Sequence, residues 1–174
     1  EMLHLTSGLL EGYRWEQGQL PLEPINAHVI CEEIVHELTP AAKEFGQRLG
    51  FTAVKRPLVA VGNSLLLKNV LFNVIFNALK HTPPETEVRI AANRHNERAF
   101  ISVVDTGPGL SKRTIDYINQ GSNDRLQVAA SSSGSGLGLA VAKQLVRAMN
   151  GTLQLKASPK GGYCLVSLQI SRQL

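Results

Sequence analysis

Three asparagines recur along one side of a mostly apolar stretch, "NVLFNVIFNALKHTPP", at residues 69–84. Asn69, Asn73 and Asn77 follow one another at intervals of four residues, and Lys80 comes three residues later. Asparagine is a poor helix former because its side chain competes for backbone groups, so a row kept for solubility would use charged residues instead. Buried amides need hydrogen-bond partners, which either loop backbone or a bound ligand could supply.

A magnesium–phosphate group is the ligand that these residue types fit. Mg²⁺ prefers hard oxygen ligands and takes few of them from protein, and a lysine can neutralise phosphate charge. On a helical wheel, Asn69, Asn77 and Lys80 fall within about 40° of Asn73, with apolar residues on both sides. The pattern therefore predicts a polar strip between two apolar walls.

The segment "ISVVDTGPGL" (101–110) holds a second candidate site. Asp105 ends an apolar strand, and Gly107 and Gly109 would let the backbone pass close to a flat ligand. A carboxylate on the floor of a pocket can accept a hydrogen bond from an exocyclic amine, which would select adenine over guanine. The same residues could instead form only a tight turn.

The segment "GSGLGLAVAKQLV" (134–146) is the third candidate. Gly134, Gly136 and Gly138 precede an amphipathic helix, whose unpaired N–H groups and positive dipole end favour phosphate. A Rossmann fingerprint would need glycine where Leu139 stands, and the Gly-Lys-Ser/Thr of a P-loop is absent. A flexible linker that enters a helix is the alternative. Taken together, the three segments indicate ATP binding.

These sites must be positioned by the elements that the spacing of apolar residues predicts. An α+β fold follows, a two-layer α/β sandwich with a mixed sheet and helices on one face. Residues 106–135 are polar and rich in Gly and Ser, which is typical of a functional loop or lid. The predicted helices are 2–16, 26–50 ended by Gly50, 63–81 capped by Asn63 or Ser64, a short one near 112–119, and 137–149. The predicted strands lie around 51–54 and 58–61, in a hairpin at 87–94 and 98–105, and in a hairpin at 152–158 and 163–170.

The composition is that of an ordinary soluble domain, with 174 residues, 43% of them hydrophobic and 18% charged. Only 5% are aromatic, which predicts an aliphatic core, and a net charge of +4 is too mild to suggest a nucleic-acid partner. Cys31 and Cys164 have no metal-binding spacing, so we expect buried free thiols in a reducing compartment. No apolar run is long enough to cross a bilayer, and no signal peptide is visible.

The segments "NVIFNALKHTP", "DTGPG" and "GSGLGLAVAKQLV" resemble the N, G1 and G2 boxes of the ATP-binding domain of sensor histidine kinases, within the GHKL ATPase group. Residues 1–18 resemble the last turns of the dimerisation helix that precedes that domain. We therefore expect residues 1–18 to be the tail of this helix with its linker, and residues 19–174 to be the catalytic ATP-binding domain. Because the chain begins within an amphipathic pattern, we expect it to be part of a longer protein.

The resemblance implies a Bergerat-type nucleotide fold and a phosphate end of the site built on the asparagine helix. Asn77 would be the Mg²⁺ ligand, and Asn73 would lie beside it at the phosphates of ATP. Lys80 would contact phosphate, and His81 would lie near the nucleotide. Asn73 and Lys80 would be the catalytic residues.

The resemblance also implies a base end and a second set of phosphate contacts. Asp105 would bind the adenine amine in a pocket shaped by glycines. Below a mobile lid, the start of the last helix would meet the phosphates. The residues concerned are Gly107 and Gly109 in the pocket, and Gly134, Gly136, Leu137 and Gly138 at the helix start.

Asn73 separates two classes within the group. ATPases of the gyrase, heat-shock chaperone and mismatch-repair type have a glutamate at this position, where it orients the attacking water. Asparagine is a poor base, so the γ-phosphoryl group would be kept for a histidine of another segment. The resemblance thus implies the catalytic domain of a protein histidine kinase. A nucleotide-binding or docking module without phosphotransfer, and a self-sufficient ATPase, are the alternatives.

Two features depart from the family pattern. The segment after G1, "SKRTIDYINQGSNDRLQ", lacks the usual phenylalanine. Candidates for the γ-phosphate contact are then Lys112, Arg113 and Arg125, and the alternative is that each is a solvated surface charge. The segment "HELTP" resembles a phosphoacceptor box but is one residue short, and it falls within the first helix of the ATP-binding domain. We therefore expect His36 to be a surface residue rather than the phosphoacceptor. His4 is a still weaker candidate for the phosphoacceptor.

The resemblance implies partners that this sequence does not contain. The phosphoacceptor would belong to the dimerisation domain of the same protein, and the phosphoryl group would pass to the receiver domain of a response regulator. The parent protein would be a homodimer located in the cytoplasm or anchored to a membrane, whereas the isolated domain could be monomeric.

Overall fold

The structure is a computed structural model, and it describes residues 21–52, 57–120, 135–158 and 161–171. The predicted helix 2–16 and the proposed boundary at residue 18 lie outside the described residues, as do Gly134 and Arg125. No helix in the described ranges is both long and apolar enough to cross a membrane.

Strands and helices follow one another nearly as the spacing of apolar residues predicted. In chain order they are β1 (Glu23–Asn26), α1 (Ala27–Glu44), β2 (Arg48–Thr52), β3 (Val59–Gly62), α2 (Ser64–His81), β4 (Glu87–His95), β5 (Arg98–Asp105), α3 (Lys112–Gln120), α4 (Ser135–Ala148), β6 (Thr152–Ser158) and β7 (Gly161–Gln169).

The main sheet has five strands in the order β2-β4-β5-β7-β6. It is mixed, because β2 pairs with β4 in parallel whereas the other neighbours are antiparallel. A separate two-stranded sheet joins β1 to β3, and a bridge between Ala60 and Ile170 links β3 to the end of β7. The predicted α+β sandwich with a mixed sheet is therefore confirmed.

Asparagine side chains cap the two long helices at their N-termini. The Oδ1 atom of Asn26 accepts from the backbone N–H groups of His28 and Val29, at 3.1 and 3.4 Å. At the start of α2, Oδ1 of Asn63 accepts from the N–H groups of the second and third residues that follow, at 3.0 and 3.2 Å. Such caps satisfy donors that the first helical turn leaves unpaired. Of the two residues predicted to cap α2, the cap is Asn63.

The predicted end of α1 at Gly50 is wrong. The helix ends at Glu44, and Gly46 adopts a left-handed conformation with φ of 68° just beyond it. The N–H of Gln47 donates to the Ala42 carbonyl at 2.8 Å, so the chain reverses in a glycine C-cap. Gly50 lies instead in β2, opposite Arg89 of β4. The helical spacing of apolar residues continues past Glu44 in the sequence, but residues 48–52 pair with β4 and form a strand.

The core between the helices and the sheet is aliphatic, as the low aromatic content predicted. The largest side chains that are fully buried are all Leu, Ile, Val or Met. Cys31 of α1 and Cys164 of β7 are both buried free thiols. Burial, with a smaller contribution from Glu32, raises the pKa of Cys31 from 9.0 to about 12. His36 is exposed on α1, as expected.

We predict that Cys31 makes stability depend on pH above 9. The unfolded thiol ionises near pH 9.0 and the folded one near 12, so its contribution is complete below pH 9 and is lost as the pH rises to 12. In this window the free energy of unfolding should fall by up to about 1.4 kcal/mol per pH unit.

Urea unfolding of the native chain and of Cys31→Ala at pH 8 and pH 10.5 measures this effect. Lysines and tyrosines titrate in both chains, so their effects cancel in a comparison. The difference between the two slopes of unfolding free energy against pH therefore isolates the contribution of the thiol. Equal slopes would contradict the prediction.

Candidate functional site

The asparagine row of α2 is a polar strip whose burial decreases toward the end of the helix. Asn69 and Asn73 are each 7% exposed, Asn77 is half-buried, and Lys80 is exposed. The amide nitrogen of Asn69 donates to the Leu65 carbonyl at 3.1 Å, and that of Asn73 donates to the Asn69 carbonyl at 2.8 Å. The helix itself therefore supplies these donors with partners, rather than the loop backbone that we considered.

Two apolar walls flank this strip, as predicted. On one side the rings of Phe72 and Phe76 are stacked, with centroids 5.5 Å apart, and Phe45 of α1 meets Phe76 edge-on. On the other side Val74 and Ala78 face a cleft. The half-buried Asn77 is the member of the row that lines this cleft.

The Asp105 carboxylate is held by backbone donors from two segments. Its Oδ1 atom accepts from the N–H of Gly107 at 2.9 Å and from the N–H of Gly162 at 3.2 Å. The first bond closes the turn after β5, and the second ties that turn to the start of β7. The carboxylate thereby keeps one orientation at the edge of the cleft, and Oδ2 is the oxygen that it can offer to a ligand.

Glycines at the start of β7 make this arrangement sterically possible. A Cβ atom on Gly161 would lie 1.9 Å from the backbone oxygen of Asp105, and one on Gly162 would lie 2.3 Å from Oδ2. Gly161 also has a φ of 140°, which side chains rarely tolerate. Gly109 has a φ of 72° and approaches the Gly161 carbonyl. The "DTGPG" segment therefore packs closely against a second glycine pair, Gly161 and Gly162, and its close approach to a flat ligand stays a prediction.

The cleft between α2 and the β5–β7 pair encloses about 430 Å³ of space, part of which is open to solvent. Residues from all three candidate segments line it, among them the predicted site residues Asn77, His81, Asp105 and Gly109, whereas Asn73, Lys80, Gly107 and Gly138 do not. Its lining consists of Val74, Asn77, Ala78, His81, Thr82, Val103, Asp105, Gly109, Leu110, Leu139, Leu155, Gly162, Tyr163 and Cys164. An amide, an imidazole and a carboxylate thus lie around a largely apolar space, which suits a flat polar ligand.

The start of α4 lies against the middle of the asparagine row. A Cβ atom on Gly138 would be 3.2 Å from Oδ1 of Asn73, so glycine allows the two helices to approach here. Gly136 and Leu137 belong to the first turn of the same helix. The third segment therefore contacts the asparagine row at Gly138.

Other predicted site residues lie farther from the cleft. Lys80 is exposed and is not among the residues that line it, whereas its neighbour His81 is. Lys112 and Arg113 are exposed on α3. Gly107 packs against Thr82, because a Cβ atom on it would lie 3.0 Å from the Thr82 side chain.

A buried lysine fixes the helix that contributes Leu139 to the cleft. The ammonium group of Lys143 donates to the carbonyl of Asn119 at 2.9 Å and also to that of Ile118, both at the end of α3. Burial, with a smaller contribution from Arg147, lowers the pKa of Lys143. The side-chain amide of Asn119 in turn pairs with the backbone N–H and carbonyl of Leu155. These bonds hold α3, α4 and β6 together behind the apolar wall.

Sequence reasoning missed Thr82, Gly162, Tyr163 and Cys164 as cleft residues. The segment "PKGG" (159–162) connects the two strands of the last predicted hairpin, and its glycine pair before a strand could also have signalled close approach by another segment. Burial raises the pKa of Cys164 to about 12, so this thiol is an apolar part of the wall. Nothing in the local pattern marked Thr82, because its contact with Gly107 joins distant parts of the chain.

Comparisons with known proteins match most of this chain to one family. Residues 62–173 match the family model described as histidine kinase-, DNA gyrase B- and HSP90-like ATPase. The chain is 37% identical over 177 residues to the sensor protein KdpD of Mycobacterium tuberculosis, covering 95% of this chain and 20% of KdpD. It is 29% identical to the adaptive-response sensory kinase SasA of a Synechococcus strain, covering 91% of this chain and 42% of SasA. The chain thus spans less than half the length of these relatives.

Solved structures share the fold. The catalytic domain of histidine kinase ThkA has a TM-score of 0.75 at 16% identity, with 87% of this chain and 97% of that chain covered. Full-length ShkA in complex with AMPPNP has a TM-score of 0.76 at 23% identity, with 98% of this chain and 36% of that chain covered.

We predict that Gly162→Ala displaces the Asp105 carboxylate, because the new methyl group would overlap Oδ2. The variant should lose roughly 2 kcal/mol of unfolding free energy, as strained or unpaired buried groups do. Gly50→Ala is the matched control, since a Cβ atom there meets nothing within 4 Å. Urea unfolding of both variants measures the difference. A Gly162→Ala chain as stable as Gly50→Ala would contradict the steric argument.

Proposed function

Because the chain belongs to the family of histidine kinase-, DNA gyrase B- and HSP90-like ATPases, we propose that it is the ATP-binding catalytic domain of a two-component sensor histidine kinase. In this proposal it donates the γ-phosphoryl group of ATP to a histidine on a separate dimerisation domain. The observation that carries the proposal is the single cleft lined by Asn77, His81 and Asp105. Family membership supports the use of ATP, and the identity to sensor kinases supports the acceptor.

The base end of the nucleotide would bind at Asp105. Two backbone N–H groups already occupy Oδ1, so Oδ2 is the acceptor that would meet the exocyclic amine of adenine. Guanine presents an oxygen at that position, which a carboxylate repels. Gly107 and Gly109 shape the turn beside it, and the apolar wall would cover the faces of the ring.

The phosphate end would lie along the asparagine row. Asn77 offers an amide oxygen at the edge of the cleft, as a Mg²⁺ site that is completed by phosphate oxygens requires. Mg²⁺, when bound there, would neutralise phosphate charge and orient the terminal phosphoryl group. His81 would lie beside the nucleotide, and the exposed Lys80 would turn inward to contact a phosphate.

The start of α4 would supply backbone donors to the phosphates. Gly136, Leu137 and Gly138 occupy its first turn, where N–H groups lack intrahelical partners and the dipole favours anions. Gly134 is proposed to extend this contact. Since Gly138 meets Asn73, the phosphates would be held where the two helices approach each other.

Asn73 would favour transfer to a histidine over hydrolysis. Its amide nitrogen is committed to the Asn69 carbonyl, and an amide cannot accept a proton from water as a carboxylate can. Bound ATP would therefore persist until an imidazole approaches as the nucleophile. In-line attack by its nitrogen would form an N–P bond while the bond from the γ-phosphorus to the bridging oxygen breaks and ADP leaves.

The relatives are multidomain sensor kinases, so further partners are proposed for the parent protein. They are the dimerisation domain of the same protein, of which residues 1–18 would be the last part, and the receiver domain of a response regulator. The parent would be a homodimer with this domain in the cytoplasm, and no nucleic acid would be involved.

We predict that this chain, mixed with a separately produced histidine-bearing dimerisation domain and γ-labelled ATP, forms acid-labile phosphohistidine on that domain. Asn77→Ala should reduce both labelling and Mg²⁺-dependent ATP binding by at least about tenfold, which corresponds to about 1.4 kcal/mol. Asn93→Ala, at an exposed position of β4, is the matched control. ATP binding without labelling would favour a module without transfer, and rapid ATP hydrolysis by the chain alone would favour a self-sufficient ATPase.

We predict that Asp105→Asn reverses the choice of base. The amide can still accept from Gly107 and Gly162 through its oxygen, but it presents a donor where the carboxylate presented Oδ2. ATP affinity should fall by about tenfold or more and GTP affinity should rise, because an unpaired buried donor is costly. Competition binding with both nucleotides measures the ratio, with Asp116→Asn on the exposed side of α3 as the control. An unchanged ratio would refute the role of Asp105.

A further inference from the structure

Gln47, between α1 and β2, lies buried beneath the end of the asparagine helix. Its side chain is 6% exposed. The amide nitrogen donates to the Leu79 carbonyl at 2.9 Å, to the Thr82 carbonyl, and more weakly to the Pro83 carbonyl at 3.3 Å. One side chain thus serves three carbonyls around the C-terminus of α2.

These carbonyls need such a partner because α2 ends without a glycine cap. Thr82 at the C-cap has an extended conformation, with φ of −104° and ψ of 134°, and prolines follow it. The last carbonyls of a helix have no intrahelical donors. Gln47 supplies donors from another segment, which is itself fixed by the bond from the Glu85 N–H to the Gly46 carbonyl at 2.9 Å.

The oxygen of the Gln47 side-chain amide differs from its nitrogen in its hydrogen bonding. Its Oε1 atom is the buried side-chain oxygen that lacks a hydrogen-bond partner among the described residues. A buried unpaired oxygen is unfavourable, and an apolar side chain of the same length would avoid it. Within the described residues, the amide nitrogen is therefore the part of the Gln47 side chain that makes hydrogen bonds, and all of them go to the end of α2.

The same helix end is in contact with the base end of the cleft. Thr82 lines the cleft, and its hydroxyl donates to the Ala78 carbonyl at 2.5 Å. The Thr82 side chain packs on Gly107, whose N–H holds Oδ1 of Asp105. A shift of the Thr82 backbone would therefore move the surface against which the Asp105 turn rests.

We propose that Gln47 is a positioning residue for base recognition, and this inference rests on the proposed function. By holding the carbonyls of Leu79 and Thr82, Gln47 fixes the place of Thr82 against Gly107. That contact keeps the Asp105 carboxylate in the orientation that accepts from adenine. Gln47 does not touch the nucleotide and acts through Thr82.

Two substitutions separate the donors of Gln47 from its volume. Gln47→Met keeps the length of the side chain and removes both donors, whereas Gln47→Lys keeps donors and removes the unpaired oxygen. The fold already contains a lysine in this role, since Lys143 donates to two carbonyls at the end of α3. The readout is the ratio of ATP to GTP affinity, because a general loss of stability lowers both affinities alike.

We expect Gln47→Met to lower the ATP-to-GTP ratio by roughly three- to tenfold, about 0.7–1.4 kcal/mol of discrimination, and Gln47→Lys to keep it within twofold. Ser167→Ala is the control, because Ser167 is a buried hydroxyl that pairs with Thr152 and Arg98 away from the cleft. An unchanged ratio in Gln47→Met, or an equal fall in Gln47→Lys, would overturn the inference. If the native chain itself bound no ATP, the proposed function would have failed first.

A measurement on the native chain decides the question if Gln47→Met does not fold. The side-chain amide protons of Gln47 should change chemical shift and exchange more slowly when ADP is added, since the base would press on Thr82. The amide of Gln154, exposed on β6, should not respond. Identical Gln47 signals with and without bound ADP would refute the coupling.

Discussion

The arrangement of the cleft depends on one carboxylate oxygen that accepts hydrogen bonds from two distant backbone groups. Oδ1 of Asp105 binds the N–H of Gly107, two residues ahead, and that of Gly162 on another strand. This pair of bonds fixes the turn after β5, and it requires that β7 begin with residues lacking a Cβ atom. A side chain on Gly161 or Gly162 would overlap Asp105. The orientation of the carboxylate and the path of β7 therefore depend on each other.

The asparagine row shows how a helix can carry polar groups toward a cleft without leaving their amide nitrogens unpaired. The nitrogens of Asn69 and Asn73 bond to carbonyls one turn earlier in the same helix, so burying them costs little. Burial decreases along the row, and the residue that reaches the cleft is the half-buried Asn77. The first two asparagines of the row are therefore bonded to the backbone of their own helix, whereas Asn77 faces the cleft.

Much of this architecture could be predicted from the sequence, because the spacing of apolar residues and the turn residues indicate most helices and strands locally. The period of apolar residues located α2 and α4, and two hairpins followed from alternation and turn residues. The end of α1 could not be predicted in this way: helical spacing runs past Gly46, and only pairing with β4 makes residues 48–52 a strand. Within the site, Asn77 and Asp105 stand in recognisable motifs, whereas Thr82 and Gln47 act through contacts between segments far apart in the chain.

The parallel pairing of β2 with β4 has a consequence for how the cleft can form. Parallel neighbours cannot be joined by a tight turn, so the chain between Thr52 and Glu87 must cross over, and α2 lies within that crossover. The helix that carries the asparagines is thus part of a long connection between β2 and β4. Closing this connection costs conformational entropy before pairing of the two strands compensates for it. Attachment of the edge strand and placement of the asparagine helix should then be late and simultaneous events in folding. A chain whose edge strand detaches would lose the α2 wall of the cleft before the remaining strands separate.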